Sequence, residues 1–211
     1  NPISLWDRDG GQVITRNTVY RTGRSSFDFG YNFNGQHFNV EVSYNDFSQF
    51  GLISGDLGAT YAWGQCNLTG LNYHHNWIHD GASPSEPGSG GQYGIYFDQA
   101  SGPGTIHHNV TWNCIESDLY HEVVNEDRHS GSLLNIYNNT FATGSPAVSS
   151  YRTYLTTPHD IQRNNIYRLP IVVNWGASTG NVASSLLHTT NPLFVGSGGG
   201  GPVRCRGDLA H

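Results

Sequence analysis

Tyr73-His-His-Asn76-Trp-Ile78 and Ile106-His-His-Asn109-Val-Thr111 are near copies of each other, 33 residues apart. Both follow one frame: an apolar or aromatic residue, two variable residues, Asn, any residue, then usually an apolar one. Four further segments share it: Ile14-Thr-Arg-Asn17-Thr-Val19, Val42-Ser-Tyr-Asn45-Asp-Phe47, Ile136-Tyr-Asn-Asn139-Thr-Phe141 and Ile161-Gln-Arg-Asn164-Asn-Ile166. Thr111 breaks the last apolar position. The asparagines recur at intervals of 28, 31, 33, 30 and 25 residues. A fixed residue at such a period marks stacked repeating units. A propeller blade takes about 40 residues or more, and leucine-rich repeats carry a denser Leu pattern. A sandwich has no use for Asn at one place six times. The expected fold is all-β, a right-handed single-stranded parallel β-helix of about six coils, each with two or three short strands joined by turns. Two properties suit Asn to the turn: its short amide tolerates left-handed backbone, and stacked amides pass hydrogen bonds from coil to coil.

Composition agrees with a turn-rich β protein. Of 211 residues, 12% are charged and 27 are Gly, without the Ala, Glu, Leu and Lys runs of a helical bundle. No apolar run approaches the roughly 20 residues of a membrane span. The formal charge is −6 without a basic cluster, which argues against nucleic acid as a partner. All ten basic residues are Arg, and Lys and Met are absent. Residues 1–211 read as one β-helix domain, with coils over about 12–195 and a C-terminal tail or loop over 196–211. Because the repeat begins at Ile14, the N-terminal cap is expected to be missing. The chain would then lack its first coils, or stack end to end on another chain. Cys66, Cys114 and Cys205 show no metal spacing and read as buried free thiols, or as one disulfide with a leftover.

Tyr73-His-His-Asn-Trp-Ile-His-Asp80, Gly94-Ile-Tyr-Phe-Asp98 and Ile106-His-His-Asn-Val-Thr-Trp-Asn113 resemble the repeats of pectate-lyase-like β-helix proteins. Asn191-Pro-Leu-Phe-Val195 resembles the segment with which such helices often finish. The resemblance implies a carbohydrate-active protein, secreted or at the cell surface. The fold alone does not choose among lyases, hydrolases, epimerases and adhesins.

The strand after each Asn turn is expected to point Gly94, Tyr96 and Asp98 outward, and likewise Asp118, Tyr120 and Glu122. Counting from the repeat Asn aligns Asp28, Asp56, Asp98, Glu122, Ser150 and Asn174 in one outer column. Stacked acids repel, and one should keep its proton to higher pH. Glycosidic bond cleavage uses such a pair. Asp98 and Glu122 form the best pair, with Asp56 as a third catalytic candidate. Their contexts resemble the catalytic strands of β-xylosidase-type β-helix glycoside hydrolases, which implies Asp98 as nucleophile and Glu122 as acid/base. Tyr96 and Tyr120 are candidate sugar-stacking residues. Arg128 and His129 are candidates to hold a sugar carboxylate, and His79 pairs with Asp80 at a turn. The loop 81–92 is a candidate groove wall. His74-His75 and His107-His108 fall at the same place in successive coils, either as polar turn stacking or as metal ligands. Trp63, Trp77 and Trp112 read as core or ledge residues.

Three functions fit. A glycoside hydrolase acting on a plant or microbial polysaccharide needs no cofactor. A polysaccharide lyase would hold Ca²⁺ on the acids; lacking Lys, it would draw its base from Arg128, His129, His121 or a Tyr. A structural or adhesive solenoid would need no site.

Overall fold

The structure is a computed structural model. It describes residues 1–6, 10–30, 35–82, 91–99, 101–122, 134–143, 149–154, 161–167, 171–174, 182–183, 186–187 and 195–197. Among these residues there are strands and no helix, arranged in three parallel sheets of eight, seven and seven strands. Successive strands enter the first, second and third sheet in turn, and every third strand returns to the sheet it left. The chain is therefore a parallel β-solenoid. The expected count of about six coils does not match the topology. That count included only coils bearing the Asn motif, whereas Val182–Ala183 and Leu186–Leu187 extend the second and third sheets past the last motif. Ile3–Ser4 likewise precedes the first motif and pairs with Phe27–Asp28. Val195–Ser197 adds a strand to the first sheet where a glycine-rich loop is expected.

The motif straddles the turn from the second sheet to the third. Its first residue points inward, as Val42, Tyr73, Ile106 and Ile136 are fully buried, and so do Phe47, Ile78 and Phe141 at its end. With Phe27, Ile95, Phe97 and Leu119 of the first sheet they form one core cluster. Burying this apolar set contributes about 25 cal/mol per Å², which fixes the strand faces.

The amides behave differently from one part of the expectation. The left-handed residue is the one before the ladder Asn: Arg16, Tyr44, His75, His108, Asn138 and Asn164, all with φ between 51° and 57°. The Asn itself supplies hydrogen bonds. Asn76 Oδ1 accepts from the Asn45 backbone N–H at 3.0 Å and from Asn45 Nδ2 at 2.9 Å, while Asn76 Nδ2 donates to the Val42 carbonyl at 2.9 Å. The same set recurs from Asn17 to Asn139. In the sixth copy Asn165 accepts from Asn139, so the ladder runs through Asn165 and not Asn164. The shift follows from the turn: Asn164 takes the left-handed position that the motif gives to its neighbour.

Asp118 corrects the expected alternation. It is fully buried and faces inward, where Thr111 Oγ1 donates to its Oδ1 at 2.6 Å and the Thr143 N–H donates to its Oδ2 at 3.1 Å. Gly94, one rung earlier, also faces inward: a Cβ there would lie 2.5 Å from the Asp118 carbonyl oxygen and 2.9 Å from the Cys114 sulfur. The break at Thr111 thus has a cause, since a buried carboxyl requires hydrogen-bond donors. Cys66 and Cys114 are buried, and the Cys66 thiol donates to the Trp63 carbonyl at 2.9 Å. Cys205 lies outside the described residues.

Candidate active site

The first sheet sets the register of the acids. Tyr61 pairs with Tyr96 and Tyr96 with Tyr120, while Ala62 pairs with Phe97 and Phe97 with His121. One residue further, Asp98 and Glu122 stand side by side on neighbouring strands, and the Asp98 N–H donates to the Ala62 carbonyl at 2.9 Å. The Glu122 carboxyl is close enough to raise that of Asp98 both through hydrogen bonding and through its charge. Each also accepts a phenol: Tyr61 donates to Asp98 Oδ2 at 3.0 Å, and Tyr96 donates to Glu122 Oε2 at 3.0 Å.

Electrostatics follow from this packing. Asp98 is 6% exposed. Burial, then the hydrogen bond and the charge of Glu122, push its carboxyl up to about 8, against a lowering by the Tyr61 hydroxyl. The Tyr96 phenol is pushed far up by burial and by Asp98 and Glu122, so it remains a donor. Asp98 therefore holds its proton to higher pH than an ordinary carboxyl.

Of the other expected members of the column, Asp28, Asp56 and Ser150 do not join it, and Asn174 does. Asp56 is exposed and precedes the strand Leu57–Ala62, a full strand length from the rung of Asp98. Its charge is the last and smallest influence raising Asp98. Asp28 pairs with Tyr61 and so stands two residues before the carboxyl row. It is buried, accepts from the Gly30 N–H and from Asn1, and burial raises its carboxyl. Ser150 falls beside Asp118, and Tyr154 takes the place beside Glu122; Asn174, paired with Tyr154, does stand in the row. A fixed offset fails because the connections into the first sheet differ in length, spanning residues 21–26, 49–56, 80–91 and 113–116.

Tyr96 and Tyr120 flank the pair but turn their faces to each other. Their rings stack at 4.7 Å, Tyr93 packs against both, and Tyr61 lies 5.1 Å from Tyr96. At 3% and 4% exposure they wall the carboxyls and leave little ring surface for a sugar to stack on. Trp63 packs on the same cluster. Tyr61 escaped sequence reasoning; aligning Ala62 with Phe97 as inward residues would have found it.

His79 belongs elsewhere. It lies on the third sheet, stacked on Trp112 at 4.1 Å, with Nδ1 2.8 Å from Asp80 and Nε2 3.0 Å from Asp46. Hydrogen bonds from Asn113 and His79 hold the Asp80 carboxyl below its usual range. Trp77, on the same sheet, is 58% exposed. His121 points inward, fully buried, with Nε2 3.2 Å from the Ser101 carbonyl. Arg128, His129 and residues 83–90 of the loop lie outside the described residues. A cleft lined by Asn1, Pro2 and residues 18–23 opens at the first coil, away from Asp98 and Glu122. Among the described residues, no three His, Cys, Asp or Glu side chains converge on one ion position. Compared with protein-family models, curated proteins and solved structures, the chain finds no match.

Proposed function

We propose that the chain is a glycoside hydrolase whose catalytic carboxyls are Asp98 and Glu122. The observation that carries this reading is the buried, phenol-bonded carboxyl pair in which Asp98 keeps its proton through neutral pH. Glycosidic cleavage requires one protonated and one ionised carboxyl flanking the bond. Adjacent strands, about 4.8 Å apart, favour the retaining arrangement over the inverting one, which needs roughly 6.5–9.5 Å. The two carboxyls titrate as a unit, so the roles that the β-xylosidase-type resemblance implies, Asp98 as nucleophile and Glu122 as acid/base, are assigned by the products of the azide rescue below. Two carboxyls supply too few oxygens for Ca²⁺, which takes six to eight ligands, and this weighs against the lyase reading. The expected substrate is a polysaccharide or oligosaccharide, met outside the cell.

The test is reducing-sugar release from a xylan and pectin panel. Asp98→Asn and Glu122→Gln should each lower it by about a thousandfold or more, with circular dichroism unchanged. Azide should restore turnover of aryl glycosides in both variants, with retained configuration where the acid was removed and inverted configuration where the nucleophile was removed. Full activity in either variant defeats the hydrolase. An unsaturated, ultraviolet-absorbing product lost on chelation would make it a lyase.

A further inference from the structure

The paired histidines between the second and third sheets do more than stack. His74 lies over His107 with ring centroids 4.8 Å apart and planes 11° apart, and His75 lies over His108 at 5.0 Å and 1°. Within each coil the two rings are nearly perpendicular and meet Nδ1 to Nδ1 at 2.8 Å, identically in both coils. The far nitrogens indicate which Nδ1 is bare. His107 Nε2 lies 2.8 Å from Asn72 Oδ1, and His74 Nε2 lies 3.5 Å from Glu41 Oε1. The Asn72 oxygen calls for a proton on His107 Nε2, and the nearby Glu41 carboxylate favours one on His74 Nε2, which leaves the lone pair on Nδ1. An imidazole that gives its far N–H to an oxygen and presents the other nitrogen bare is oriented as metal-bound histidines are. The outer rings, His75 and His108, are exposed and can supply the second nitrogen once the Nδ1 proton moves to Nε2.

We propose that His74–His75 and His107–His108 are two neighbouring bidentate sites for a late first-row divalent ion, Zn²⁺, Ni²⁺ or Cu²⁺. Each ion would be held by two Nδ1 atoms, with water completing the coordination. Nitrogens bound tetrahedrally at about 2.0–2.1 Å stand roughly 3.3 Å apart, so each pair opens by about half an ångström. A single ion does not serve all four nitrogens, because the stacked rings are 4.8 and 5.0 Å apart. Imidazole suits these metals and not Ca²⁺ or Mg²⁺. The turn has no structural need for the pair. Tyr137 and Asn138 fill the same two positions one coil later, and Ser43 and Tyr44 one coil earlier.

Those neighbours define the test. His107→Tyr with His108→Asn rewrites one coil as the next, and His74→Tyr with His75→Asn does the same one coil earlier. Asn is chosen because residues 75 and 108 both have φ 54°. Calorimetric titration of the full chain with Zn²⁺ should show saturable binding of up to two ions. Frozen-solution resonance with Cu²⁺ should show two nitrogens per ion. The first double variant should lose one ion, and the quadruple variant should bind about tenfold or more weakly, with an unchanged melting temperature in metal-free buffer. Asp98→Asn with Glu122→Gln should bind as the parent does, which keeps this result separate from the carboxyl pair. Wild-type binding by the quadruple variant, or no saturable binding by the parent, would leave the contacts as hydrogen bonds alone and overturn the proposal.

Discussion

The asparagine turn and the carboxyl row are built on the same rung spacing, yet they fill differently. Asn occupies its position in every coil from Asn17 to Asn165. The carboxyl row, by contrast, holds two acids among Gly30, Trp63, Asp98 and Glu122. The amide carries a donor and an acceptor, so each copy satisfies the next and the column extends without limit. A carboxylate only accepts. Each must recruit an outside donor, Tyr61 for Asp98 and Tyr96 for Glu122, and the remaining conflict is relieved by holding a proton. Stacking thus rewards the first column and penalises the second, and the solenoid's stability does not account for a carboxyl pair on neighbouring rungs.

The largest expected effect breaks the first column. Asn76→Ala removes the acceptor of the Asn45 backbone N–H and of Asn45 Nδ2, and the donor to the Val42 carbonyl. All three groups are buried, and each costs about 1–3 kcal/mol when left unpaired. The expected loss is about 3–5 kcal/mol, read as a fall in the urea midpoint. A loss under about 1 kcal/mol would show that water replaces the amide and that the ladder is not what joins the coils.

The same contrast explains what could be read from the residues alone. The fold was legible because Asn and its inward neighbours recur together, and burial enforces that register in every coil. Asp98 and Glu122 were legible as neighbours because each follows a recognisable inward pattern, Ile95 and Phe97 in one strand, Leu119 and His121 in the next. Asp28, Asp56 and Ser150 were misplaced because only a count from the Asn located them, and connections of unequal length carry no such register. Asp118 was misassigned because strict alternation is broken at Gly94, where the missing side chain lets two successive residues face the core. The partner of that error was visible: Thr111, the polar residue at an apolar position, is the donor that a buried Asp118 needs.

A second effect sharpens the carboxyl side. Asp98 and Asp28 both have carboxyls raised in the folded chain. Between the unfolded value near 4 and the folded value of Asp98 near 8, this carboxyl binds more proton in the native state than in the unfolded one, so its own contribution to stability falls as pH rises through that window, while the lowered imidazoles of His75 and His107 act in the opposite sense. The fall attributable to Asp98 is on the order of 5 kcal/mol at most. In Asp98→Asn that part should disappear, making the variant more stable than the parent at pH 8 and not at pH 4, as measured by thermal unfolding. A difference between Asp98→Asn and the parent that stays the same from pH 4 to pH 8 would mean that Asp98 is ionised and held by donors, and the raised carboxyl would be lost from the argument.

The smallest effect separates two adjacent asparagines. Asn165 is a ladder member: its Oδ1 takes both Asn139 donors, and its Nδ2 donates to the Ile136 carbonyl at 2.9 Å. Asn164 holds the left-handed position at φ 51° and is exposed. Glycine meets that backbone demand without strain, so Asn164→Gly should change stability by only a few tenths of a kcal/mol. Asn165→Ala should cost about 2 kcal/mol or more. The alternative assignment, with the ladder through Asn164, predicts the opposite ranking. Because both substitutions sit in one turn and differ by one residue, their order in a denaturation series reports on register alone. It asks whether the amide column continues by its hydrogen bonds where the repeat spacing shortens, or follows the motif as it is written in the chain.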